Sequence, residues 1–79
     1  MIDIEVNGDA LRVPEGADVA HVVTALTGRA LLPSGEAADG GPLGIAVAVG
    51  QVVVPRARWA GHRLEAGARV EVLTAAQGG

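Results

Sequence analysis

The sequence predicts a single α+β domain in which one helix lies across a mixed sheet of about five strands. Three observations carry this: short segments whose apolar residues alternate, one segment with apolar residues at helical spacing, and turn residues between them. At 79 residues the chain has room for one small core and none for a cleft between domains. The 49% apolar content comes almost wholly from Ala, Val, Leu and Ile, with one Trp and no Phe or Tyr, which suffices for a tightly filled core without aromatic anchors.

Residues 2–6 alternate as Ile2, Asp3, Ile4, Glu5 and Val6, placing Ile2, Ile4 and Val6 on the buried face of a strand. Asn7-Gly8 tolerates the positive φ of a tight hairpin, so residues 9–14 are expected to return antiparallel, with Leu11 and Val13 facing in. Pro14 closes that second strand. Asp18 can cap a helix whose apolar positions Val19, Val22, Val23 and Leu26 fall at i, i+3, i+4 and i+7, and Gly28 stands where a left-handed cap ends it. Its Val content lowers helix propensity, so this helix depends on packing against the sheet.

Residues 28–44 show no sustained period, contain two Pro and several Gly, and read as a long loop. Its polar residues suggest no converging site, and a mobile connection is the expectation, with Leu31 and Leu32 tucked against the core edge. Ile45, Ala46, Val47, Ala48 and Val49 alternate again, and Gly50-Gln51 can turn the chain into Val52 to Val54 as a second hairpin. Ile45, Val47 and Val49 are expected to face the helix, whereas the register of residues 52–54 stays open by one residue. Pro55 begins a compact segment through Trp59, whose ring is expected over one end of the core. In the last alternating run, residues 69–74, Val70 and Val72 point inward and Arg69, Glu71 and Leu73 outward.

Two strands, a helix, two strands and a final strand fit a β-grasp (ubiquitin-like) fold, in which the first and last strands lie side by side at the centre. The expected domain is residues 1–74, followed by a flexible tail, 75–79. Five extended residues reach about 16 Å, enough to enter a partner's active site while the globule docks outside.

Six basic against nine acidic residues leave a formal charge of −3, and stacking aromatics are lacking, which disfavours nucleic acid as a partner. Without Cys there is no disulfide, thiolate metal site or Cys nucleophile. The chain opens on a strand rather than a basic stretch and apolar run, and no apolar stretch approaches spanning length, so a cytoplasmic location with no membrane contact is expected. His21, on the polar side of the helix, and His62, in a loop, have no suitably spaced ligands, so no metal is expected. Ser34, the only Ser, lies in the long loop, away from any His-Asp partner. No intrinsic catalysis is expected.

The sequence ends in Gly78-Gly79. At this chain's glycine content such a pair arises by chance roughly 2% of the time, so the dipeptide suggests a role without deciding it. Its chemistry is specific, however. The α-carboxylate of Gly79 is an anion at neutral pH and can attack the α-phosphate of ATP to form an acyl-adenylate, from which AMP leaves readily. Glycine has no Cβ to obstruct a sulfur nucleophile at that carbonyl, and Ala76, Gln77 and Gly78 would thread a narrow channel behind it. On this reading the tail is a substrate.

Residues 47–79, and above all Val54-Pro55-Arg56-x-x-Trp59 followed by a short apolar strand and terminal Gly-Gly, resemble the thiamine-biosynthesis sulfur carrier family, ThiS. The first 27 residues fit more loosely, through the opening strand, Pro14-Glu15-Gly16 and the helix near Asp18; residues 29–43 are longer than the corresponding connection in many members. The resemblance implies a β-grasp fold and a carrier that binds no cofactor itself. A ThiF-type adenylyltransferase would use ATP to activate Gly79, and sulfur drawn ultimately from cysteine through a desulfurase or a related donor would convert the carboxylate to a thiocarboxylate. That group would then serve a ThiG-type thiazole synthase. A molybdopterin or secondary-metabolite sulfur carrier, a ubiquitin-like protein modifier joined through Gly79, and a plain β-grasp binding module are the alternatives.

Outward Ala46, Ala48 and Leu73, with Val53, would make a flat apolar patch beside the tail, of the kind that marks a partner site. Arg56, at its turn, can contact a partner or hydrogen-bond nearby backbone, the structural role being the expectation, and Trp59 is expected to belong to the core.

Overall fold

The computed structural model describes residues 1–74. Strands β1 (Ile2–Val6) and β2 (Asp9–Val13) form the first hairpin. Helix α1 (Val19–Thr27) follows, then strands β3 (Ile45–Val49) and β4 (Val52–Val54), a 3₁₀ turn (Arg56–Arg58), and strand β5 (Arg69–Thr74). The five strands make one sheet in the order β2-β1-β5-β3-β4.

The turn chemistry acts as expected. Asn7 and Gly8 take φ of 52° and 86°, and Gly50 and Gln51 take 56° and 71°, so both hairpins turn through two left-handed residues whose twist matches that of the strands. In α1, Asp18 accepts the His21 N–H at 2.9 Å, and Gly28 closes the last turn at φ 71° with its N–H on the Thr24 carbonyl. Asp18 also accepts the Gly61 N–H at 3.1 Å, so one carboxylate caps the helix and ties it to the segment before β5.

Strand β5 is inserted between the two hairpins. It runs parallel to β1, with Glu5 beside Arg69 and Val6 beside Val70, and antiparallel to β3, from Val49 beside Val70 to Ile45 beside Thr74. The last strand of the chain is therefore the middle strand of the sheet. Its inward Val70 joins Ile4, Val6, Val13, Val47, Val54 and Leu64 under Val19, Val22 and Val23 of the helix. Burying aliphatic side chains of this size contributes about 1.5–3 kcal/mol each before the entropy of ordering them is counted.

The open register of β4 resolves with Val54 opposite Val47 and buried, and Val53 opposite Ala48 and exposed. Two expectations are corrected. Leu26, expected on the buried stripe of the helix, is 49% exposed, because that stripe is confined to Val19, Val22 and Val23 and the helix ends one residue after Leu26. Of the two loop leucines, Leu31 packs against the core and Leu32 is 45% exposed.

The loop of residues 28–44 has more internal structure than its composition suggests. Leu31 bridges Ala37, which is buried, and the Ala38 N–H reaches the Ala30 carbonyl at 2.9 Å. Arg29 donates to the Pro42 carbonyl at 2.6 Å and to Asp39 at 2.7 Å, so one guanidinium fastens the loop's two ends. The expectation of a mobile connection came from residue types alone and did not anticipate these contacts.

Candidate functional site

The last described residue of β5, Thr74, pairs with Ile45 at the start of β3. The expected attachment residue Gly79, and the threading residues Gly78, Gln77 and Ala76, lie outside the described residues.

The root of that segment is held from both sides. From β3 come the five pairings of the antiparallel ladder. From the β1 side, the Glu5 N–H donates to the Ala68 carbonyl and the Asn7 N–H to the Val70 carbonyl, both at 2.9 Å. Beyond this the Asn7 side chain takes over: Oδ1 accepts the Val72 N–H at 2.8 Å and Nδ2 donates to the Val72 carbonyl at 3.2 Å. The Asn7 amide thus extends the ladder after the backbone of β1 has turned away. Nothing local in the sequence signals this, because Asn-Gly is fully explained by the turn.

On the sheet face opposite the helix, the four residues expected to form a patch lie together. Leu73 stands beside Ala46 across β5 and β3, and Ala48 beside Val53 across β3 and β4. Val53 is 69% and Leu73 63% exposed. The small alanines keep the strip low between the two larger side chains. The other half of this face is charged: Asp3 pairs with Arg12 at 3.1 Å and Glu5 with Arg69 at 3.6 Å, in exposed contacts that add little stability. The apolar strip therefore occupies the β3-β4 side and reaches β5 through Leu73, one residue before the last described residue, Thr74.

The motif residues Arg56 and Trp59 have different environments. Trp59 is buried and donates Nε1–H to the Val54 carbonyl at 2.9 Å, in keeping with a core role. Arg56 lies 5.9 Å from the Trp59 ring centroid, and its backbone is covered by Gly35, where a Cβ would run into the Arg56 Cγ and carbonyl oxygen. Its guanidinium makes no hydrogen bond among the described residues, so the expected tie to nearby backbone is replaced by stacking toward Trp59 and by contact with the long loop.

His21 and His62 are exposed. Among the described residues no three His, Cys, Asp or Glu side chains are grouped to hold a metal, and no helix is long and apolar enough to cross a membrane. Asp39 has its carboxyl held below the usual carboxylate range, first by the Gly41 N–H it accepts and then by Arg29. These contacts belong to the loop latch.

A mixed five-stranded sheet whose first and last strands run parallel at its centre under one helix is the ubiquitin-like β-grasp architecture. The ThiS family model matches residues 2–79, and the chain belongs to that family. A search of curated proteins gave no match. The protein is therefore a small ubiquitin-like sulfur carrier rather than an enzyme, of a family that works with adenylyltransferase and synthase partners.

Proposed function

We propose that this carrier transports sulfur as a thiocarboxylate on Gly79 for assembly of the thiazole of thiamine. The observation that carries the reading is the position of β5: a central strand whose last described residue, Thr74, lies next to Leu73 of the apolar strip, in a chain matched by the family model through residue 79. In the proposed cycle a carboxylate oxygen of Gly79 attacks the α-phosphorus of ATP in a ThiF-type adenylyltransferase, and pyrophosphate leaves. The outer sulfur of a persulfide formed by a cysteine desulfurase attacks the acyl carbon and AMP leaves; a thiol reductant then cleaves the S–S bond of the resulting acyl disulfide, and the thiocarboxylate remains. A ThiG-type synthase then takes the sulfur and returns the carboxylate. ATP is the partner's substrate, the carrier holds no cofactor, and the cycle belongs to the cytoplasm.

The strip of Ala46, Ala48, Val53 and Leu73 is the proposed docking surface, since it offers desolvatable area where the chain end enters the partner. One feature of the sequence favours a carrier over a modifier that builds chains of itself: all six basic residues are arginine, so no copy offers a lysine to another.

The test is to incubate the intact chain with its adenylyltransferase, ATP and a sulfur donor, then measure intact mass. Replacement of one terminal oxygen by sulfur is expected, as is transfer to a thiazole synthase. Transfer only to a molybdopterin synthase would redirect the pathway, lysine-linked conjugates in cells would favour the modifier, and an unchanged mass would sink the carrier cycle.

A further inference from the structure

The arginines divide into two groups. Arg12, Arg29 and Arg69 each pair with a carboxylate, at 3.1, 2.7 and 3.6 Å. Arg56, Arg58 and Arg63 have no ion-pair partner among the described residues, and all three fall in the segment 56–63, which contains no acidic residue. Every one of the nine carboxylate side chains lies elsewhere. These three arginines are exposed and make no ion pair among the described residues, and the carboxylate that reaches their segment, Asp18, is bonded to the Gly61 N–H.

The topology places the start of that segment. Strands β4 and β5 both run antiparallel to β3, with Val54 opposite Val47 and Thr74 opposite Ile45, so their C-terminal ends point to the same end of the sheet. The 3₁₀ turn Arg56–Arg58 thus follows β4 at the end of the sheet where Thr74 lies. Arg56 is also partly fixed in advance, with Gly35 closed over its backbone and its guanidinium 5.9 Å from the Trp59 ring. A restrained guanidinium loses less freedom when it binds a carboxylate.

Resting on the carrier reading above, we propose that Arg56 and Arg58 form a basic rim that pairs with acidic side chains around the mouth of the adenylyltransferase receiving the chain end. A carboxylate-bearing protein surface fits better than a polyanion such as nucleic acid, because the nine acidic residues on the rest of the small domain would repel an extended anionic strand. The apolar strip supplies contact area, and the arginines supply orientation and attraction during encounter.

The test is steady-state adenylation of the intact chain by that enzyme at low and high salt. Arg58→Glu is expected to lower kcat/KM about tenfold at low salt, through KM for the carrier, with kcat and KM for ATP unchanged. The loss is expected to be larger with Arg56→Glu added, to shrink at high salt, and to be largely absent in Arg58→Lys. Arg12→Glu, which changes net charge equally on the far edge strand, is expected to have little effect. Arg56 touches Gly35 and Trp59, so thermal unfolding of the double variant is checked, and Arg58→Glu alone carries the test if the double variant does not fold. Unaltered kcat/KM and salt dependence in Arg58→Glu, an equal loss in Arg12→Glu, or an effect on KM for ATP would overturn the rim. A wild-type chain that is never adenylated would overturn the carrier reading as well, and is distinguished by the absence of any loaded mass.

Discussion

The Asn7 side chain pairs with the Val72 backbone as another strand would, accepting its N–H at 2.8 Å and donating to its carbonyl at 3.2 Å. One residue therefore turns the first hairpin, at φ 52°, and clasps the strand that carries the chain end. Asn7→Asp separates the two roles, since aspartate also tolerates the left-handed turn but sets a charged oxygen against the Val72 carbonyl. A loss of about 1–2 kcal/mol in urea unfolding is expected. Unchanged stability would mean that the clasp contributes nothing beyond the turn.

Trp59 is the only aromatic residue and is fully enclosed, so its fluorescence reports unfolding directly. Trp59→Phe strips the Val54 carbonyl of its Nε1–H donor and leaves a small void, at an expected cost of about 1–3 kcal/mol. Trp59→Ala is expected to cost about 3–5 kcal/mol, enough to leave a domain of this size largely unfolded. Circular dichroism melts of both variants provide the comparison.

Gly35 and Gly40 both have positive φ, 87° and 79°, but only Gly35 is pressed against another element. Gly40→Ala is expected to incur only the left-handed strain of about 1 kcal/mol. Gly35→Ala adds the collision with Arg56 and is expected to lower the melting temperature distinctly further. Equal melting temperatures for the two variants would show that the loop does not bear on the 3₁₀ turn.

The latch of the long loop is expected to weaken in acid. The folded Asp39 carboxyl lies below its ordinary value because the anion accepts the Gly41 N–H and faces Arg29. Its contribution is thus fully present above the ordinary carboxylate range and is lost as pH falls through the lowered folded value. The Gly41 amide resonance is expected to titrate with Asp39, and Asp39→Asn to abolish that titration while leaving the sheet resonances in place. A Gly41 amide indifferent to pH would dissolve the latch.

Val53→Asp and Leu73→Asp place charges on the outer face of the sheet, where both native side chains are largely exposed. Stability is expected to change by less than about 0.5 kcal/mol, as for most surface substitutions. Adenylation is expected to fall at least tenfold through KM for the carrier. Normal loading of both variants would remove the apolar strip from the docking surface.

Local periodicity and local turn chemistry were legible in the chain before any fold was known. Alternation marked four strands, Asn7-Gly8 and Gly50-Gln51 set two hairpins and with the second the fifth strand, Asp18 and Gly28 bounded the helix, and Val54-Pro55-Arg56-x-x-Trp59 pointed to the family. Strand alternation also gave Ala46, Ala48 and Leu73 of the apolar strip, because a strand presents every second residue to the same face. The tertiary structure alone decided how distant segments met. It chose the β4 register that buries Val54 and exposes Val53, since only contact with the core distinguishes two valines in a run of three. It gave Asn7 its partner 65 positions away, closed Gly35 over Arg56, and fastened the long loop through Arg29. Contacts of that separation leave no period in the chain, because they depend on where packing of the core brings each strand end. The same packing set β5 between the two hairpins, as the middle strand of the sheet.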